Sequence, residues 1–150
     1  MGKKRVITKT KEELLKERER VEAAVKKEIK LRAPQKVKEG RIYIYSSYNN
    51  TILTLTDNQG NVLYWTSAGR IGFKGTKKGT PFAASRVAEA MAQAAYKLKV
   101  KKIKVFIKGI GSGRNSAIKS LAARDLDIVS VKDVTPIPHN GCRPKKPRRV

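Results

Sequence analysis

The residue types that usually carry chemistry are few in this chain, and their spacing does not assemble a reaction centre. A single histidine, His139, stands three positions before the single cysteine, Cys142, with Asn140 and Gly141 between them. Such a pair could serve as nucleophile and base if a third group and rigid walls held it in register. It could also supply two ligands to zinc, but a structural zinc site takes four, and no further His or Cys exists to complete it. Catalysis by metal-bound carboxylates needs several Asp or Glu converging on one point. From residue 41 onward there are five: Asp57, Glu89, Asp125, Asp127 and Asp133. Asp57 falls in a turn, Glu89 in mid-helix, and Asp125 and Asp127 around a helix end, so these read as structural or solvent-facing. The residues indicate no enzyme, no metal and no cofactor.

What the chain does hold in quantity is positive charge. It has 35 Lys and Arg against 12 Asp and Glu, a formal charge of +23. Copies of such a chain repel each other, and its field gathers nucleic acid or an anionic surface. The last eight residues hold Arg143, Lys145, Lys146, Arg148 and Arg149, interrupted by Pro144 and Pro147. The prolines forbid a regular helix or a central strand. The segment is therefore either a solvated terminus or an extended strip that lies along a polyanion and displaces its counterions. In the second case His139 reads as a hydrogen-bonding or stacking contact to RNA, and Cys142 as a bystander. No apolar run approaches the roughly 20 residues that cross a bilayer. One unpaired cysteine fits a reducing compartment, and the length suits a single full core.

Two glycine-rich stretches could also meet phosphates. Thr66 to Gly79 carries Gly69, Gly72, Gly75 and Gly79 with Arg70, Phe73, Lys74, Lys77, Lys78 and no acid. A loop of this length without regular structure is usually functional or disordered. Its glycines would let backbone approach phosphates while the cations supply charge. Gly109-Ile110-Gly111-Ser112-Gly113-Arg114-Asn115 joins a strand to a helix, an arrangement in which amide groups and the helix dipole attract anions. Its spacing matches neither the dinucleotide fingerprint nor a P-loop. An RNA phosphate contact assisted by Arg114 and a merely tight turn both remain open.

The elements that would position these segments follow from periodicity. Residues 1–40 mix 14 cations with 7 acids and form a basic leader followed by a helix from Lys11 to about Arg32, opened by a Thr10/Glu13 capping box and stopped by Pro34. Its six acids between Glu12 and Glu28 argue against an organelle transit peptide and favour a bacterial cytoplasmic protein. The globular part, 41–135, opens with three strands in a meander: Ile42 and Ile44 alternate with Tyr43 and Tyr45, Thr51–Thr56 follows, and Val62–Ser67 completes it. Thr80-Pro81 starts a slender alanine-rich helix to about Leu98, with Phe82, Met91 and Leu98 as core. Ile103, Val105 and Ile107 alternate with Lys102, Lys104 and Lys108 in a fourth strand. The second helix ends near Arg124, and Ile128–Val134 is a fifth strand before the tail, 136–150. The order βββαβαβ implies an α/β domain with a mixed sheet.

Three segments resemble a known family. Ser46-Ser47-Tyr48-Asn49-Asn50-Thr51, Gly72 to Ala84, and Asp133-Val134-Thr135-Pro136-Ile137-Pro138-His139-Asn140-Gly141-Cys142-Arg143-Pro144 are together similar to small-subunit ribosomal protein eleven, bacterial type, over about Arg41 to Val150. The resemblance implies a three-layer ribonuclease-H-like α/β fold with a five-stranded mixed sheet and without nuclease activity. It implies a structural, cytoplasmic role in the platform of the small subunit, bound to 16S-type rRNA near the messenger exit and the Shine–Dalgarno cleft. Proteins seven, eighteen and twenty-one of that subunit would be neighbours, with no membrane and no homo-oligomer. Carried over by motif, RNA contacts would come from Asn49, Asn50, the Phe73–Lys78 loop, the Gly109–Asn115 turn with its residues Gly111 to Asn115, and the tail from His139 with Asn140 and its cations; Arg70 joins them as a cation of the same glycine-rich stretch. The rivals are a general nucleic-acid-binding protein and a ribonuclease-H-like nuclease. The chain departs from the family pattern at Ile110, where proline is usual, at Asn115, where glutamate is usual, and at Pro147. Its N-terminal helix is also longer than the usual short arm.

Overall fold

The computed structural model describes residues 38–143, 145 and 146, together with 15, 16, 19, 21 and 23 as separate positions. The expected leader and most of the expected helix over 11–32 therefore lie outside the described residues; the five described within it are helical.

Five strands form one sheet: β1 (Glu39–Ser46), β2 (Thr51–Thr56), β3 (Val62–Ser67), β4 (Lys102–Lys108) and β5 (Asp127–Asp133). Their spatial order is β3-β2-β1-β4-β5. β1 and β2, and β2 and β3, pair antiparallel, whereas β4 runs parallel to both β1 and β5. The mixed five-stranded α/β sheet is thus as the alternation implied. Helix α1 (Pro81–Lys97) links β3 to β4, and α2 (Gly113–Ala122) links β4 to β5. Both crossovers step the same way across the sheet. Because such connections are right-handed, both helices land on the same face. The described residues accordingly supply two layers, where the resemblance implied three.

The core follows directly from the period-two pattern. Ile42, Ile44, Leu53, Leu55, Val105 and Ile107 point to the helices and are buried. Their alternates Tyr43, Tyr45, Thr54, Lys104 and Lys108 point the other way. Helix α1 starts as its sequence specifies, with the Thr80 hydroxyl accepting from the Ala83 amide (3.2 Å) and Pro81 in the first turn. Its small residues bury two sides at once, so the helix seats against both sheet and α2. Met91 and Leu98 are core, but Phe82 is 53% exposed. It sits in the first turn, where its ring meets the edge of Phe73 (centroids 6.0 Å apart) and lies beneath the Arg86 guanidinium. The apolar run at β5 breaks strict alternation because Val129 is an extra residue: Ile103 pairs with Ile128 but Lys104 with Ser130.

Candidate nucleic-acid interface

The glycine- and cation-rich segments, far apart in sequence, meet at one end of the sheet. β1, β3, β4 and β5 run in the same direction, so the chain that leaves each of them emerges at their shared carboxyl end. The β1–β2 turn is there too. In it the Ser47 amide and hydroxyl donate to the Asn50 carbonyl (2.9 and 3.1 Å), and the Asn50 side chain accepts from the Thr51 amide (3.0 Å). Asn50 therefore holds the turn, while Asn49 is exposed on it.

The stretch after β3 is not the open loop its glycines suggested. Ala68 and Ile71 are buried, the Phe73 amide donates to the Ala68 carbonyl (3.0 Å), and Gly75–Gly79 forms a 3₁₀ turn. Isolated apolar residues among glycines gave no periodic signal of this packing. Phe73 is half-buried against the core, whereas Lys74 and Lys77 are exposed and Lys78 is half-buried. Arg70 donates to the Trp65 carbonyl (3.1 Å), and its guanidinium lies 4.8 Å from the centre of the Trp65 ring.

The close approaches made by the glycines are to protein. A Cβ on Gly79 would lie 2.1 Å from the Tyr48 carbonyl oxygen, and one on Gly111 would lie 2.3 Å from that of Ser47. Gly113 faces Thr51 Oγ1 and the Ala84 methyl at 2.6 and 2.8 Å from such a Cβ. The Gly111 amide is spent on the Ser46 carbonyl (2.9 Å) and the Gly109 amide on Thr135 Oγ1 (3.2 Å). Ser112 donates to the Gly79 carbonyl (2.9 Å), which fastens the two glycine segments together. Ser112 and Asn115 remain exposed on the outer side.

Arg114 serves the root of the tail. It donates to the Gly109 carbonyl, the Thr135 hydroxyl and the Asp133 carboxylate. Asp133 also accepts from the Thr135 hydroxyl and amide (2.6 and 2.9 Å). The Thr135 hydroxyl, then Arg114, pull the Asp133 carboxyl down to about 2. Beyond this knot His139, Asn140, Arg143, Lys145 and Lys146 are all exposed; Arg148 and Arg149 lie outside the described residues. Cys142 is exposed and unpaired.

Two further carboxylates are committed elsewhere. Asp57 caps its own turn, accepting from the amides of Gln59, Gly60 and Asn61 and from the Asn61 side chain, which lowers its pKa. Glu89 bridges Arg86 (2.9 Å) and Arg124 (2.7 Å), tying α1 to the end of α2. No group of three or more potential metal ligands occurs among the described residues.

Residues 40–149 match the family model described as ribosomal protein S11. The chain belongs to the ribosomal protein S11 family. Relatives include the small ribosomal subunit protein uS11 from each of two strains of Treponema pallidum, one of them the Nichols strain. Each is 52% identical over 121 residues, covering 81% of this chain and 96% of the relative. The S11 match spans all of the sheet but its first residue, Glu39, both helices and the tail to residue 149, so the assembled end described above lies entirely within it. Sequence reasoning missed one part of the charged surface: the sheet face opposite the helices, which carries Arg41, Lys104 and Lys132 beside aromatic rings. The signal was there in the alternation of Lys with Ile and Val along β4.

Proposed function

We propose that this S11-family chain is a structural component of the small ribosomal subunit that binds 16S-type rRNA in the platform, without catalytic activity. The observation that carries the reading is the convergence, at one sheet end, of the Arg70–Lys78 segment, Ser112 and Asn115, and the root of the basic tail. The one carboxylate in that group, Asp133, is already occupied by Arg114 and Thr135. A phosphate backbone placed there meets cations and exposed polar groups with little opposing charge. The tail then extends from a fixed root along the RNA, its ordering cost offset by charge neutralisation.

In this reading the ribonuclease-H-like architecture serves as a scaffold. Glu89 and Asp133, each held by arginine, are structural rather than metal-binding. The site lies beside the messenger exit and the Shine–Dalgarno cleft, with proteins seven, eighteen and twenty-one as neighbours, in the cytoplasm. The test is sedimentation of a native lysate through a sucrose gradient in magnesium. Stoichiometric recovery in the small-subunit peak after a moderate salt wash is expected. Recovery at the top of the gradient, or with DNA, would overturn the proposal.

A further inference from the structure

The sheet face turned away from the helices has a composition that neither a core nor an ordinary solvated surface requires. Register places Trp65, Thr54, Tyr43, Phe106 and Lys132 side by side in one row across all five strands. Tyr43 and Phe106 stack at 5.1 Å with their planes 17° apart. Trp65 is 49% exposed and Tyr45, in the next row, 46%. Adjacent rows, about 7 Å apart along the strands, carry Lys108 beside Tyr45 and Lys104 beside Arg41. Among the strand residues, the acids on this face, Glu39 and Asp127, flank Lys102 at the end remote from the tail.

We propose that this face is a stacking platform for two or three unpaired bases of single-stranded RNA. Tyr45, the outer faces of the Tyr43–Phe106 stack and the face of Trp65 turned away from Arg70 receive the bases, and Arg41, Lys104, Lys108 and Lys132 meet the phosphates. The inference rests on the RNA-binding reading above and names a second, structurally separate contact within it. Charge chooses the occupant. An apolar protein partner covering Phe106 would have to desolvate the Lys104 and Lys108 ammonium groups on either side of it without compensation. A nucleotide strand brings one anion and one π-face per unit, matching rings interleaved with cations. A duplex presents no free base faces, so it gains only the charge term.

The test uses the full chain and a mixed-sequence single-stranded RNA dodecamer, alone or annealed to its complement. Trp65 is the sole tryptophan, so its fluorescence reports on this face directly. The single strand should quench Trp65 and the duplex should not. Tyr43→Leu and Phe106→Leu should each weaken single-strand binding about tenfold with the salt dependence unchanged. Tyr45→Leu, at a more exposed position, provides the same reading if either of those variants melts abnormally. Wild-type affinity in normally folded Leu variants, with Trp65 unquenched, overturns the inference. If a 16S platform fragment still binds them, only the inference falls; if that fragment fails to bind wild type as well, the underlying reading falls with it. Quenching that appears only on adding small-subunit proteins, and not with RNA, would assign the face to a protein neighbour and also overturn it.

Discussion

Replacing Gly113 by alanine sets two physical effects against each other, and the geometry decides the sign. Gly113 opens α2 with helical backbone, so the substitution taken alone should stabilise by roughly 0.5–1 kcal/mol through the lost flexibility of glycine. Against this, the new Cβ would stand 2.6 Å from Thr51 Oγ1 on β2 and 2.8 Å from the Ala84 Cβ on α1. Neither obstacle is the end of a flexible side chain, so α2 must shift away from two elements at once. Overpacking of this kind costs about 1–3 kcal/mol. The expected balance is a loss of about 1–2 kcal/mol, or a fall of about 3–8 °C in Tm for a domain of this size. Urea and thermal unfolding of the free protein measure it. Thr51 Oγ1 is buried without a hydrogen-bond partner, so Thr51→Ala removes part of the obstacle and forfeits no bond. In the double variant the cost of Gly113→Ala should shrink by about 0.5–1 kcal/mol. An unchanged or raised Tm for Gly113→Ala, joined to weaker RNA binding, would mean that this glycine serves phosphate approach and that the packing argument is wrong.

Asp133 gives a pH signature. Its folded pKa, about 2, lies below the unfolded value, so its contribution is present above about pH 4 and is lost as pH falls toward 2. Asp133→Asn should flatten that part of the Tm-against-pH curve, and superimposable curves would refute the role given to the Thr135–Arg114 knot. Glu89→Gln leaves Arg86 and Arg124 without their shared anion and should cost about 1 kcal/mol in urea unfolding; a neutral result would show the bridge to be incidental. Deleting residues 140–150 should leave Tm unchanged, because the described part of that segment is exposed. The same deletion removes five cations and should lower the slope of log K against log salt for a platform RNA fragment by up to about 4. A slope equal to that of wild type would place the tail off the RNA.

The strands were legible because burial on one face imposes a period of two, which Ile42, Ile44, Ile103 and Val105 display without interruption. The start of α1 was legible because Thr80 and Pro81 combine a cap with a first-turn residue. The glycine segments were harder to read. A glycine that lets backbone approach a phosphate and one that lets it approach a carbonyl are the same letter, and only the fold shows Gly79 and Gly111 against Tyr48 and Ser47. The protein partner of Arg114 could not be read from sequence, because Asp133 lies nineteen residues away, beyond any local pattern. Phe82 was placed in the core from its apolar type, although its position in the first helical turn points it outward. The aromatic sheet face went unrecognised because Tyr43 and Phe106 become neighbours only through the parallel pairing of β1 with β4.

That pairing also shapes how the chain is made. β1 sits at the centre of the finished sheet, yet its partner β4 follows about sixty residues later in the sequence. During synthesis the β1–β2–β3 meander can close as soon as it emerges, whereas one edge of β1 stays open for several seconds at ordinary elongation rates. An unpaired, apolar central strand is a template for wrong partners. The charge that gathers RNA also keeps nascent copies of this chain apart during that interval. Reducing the net charge should therefore lower the yield of soluble newborn protein before it lowers the stability of the finished fold.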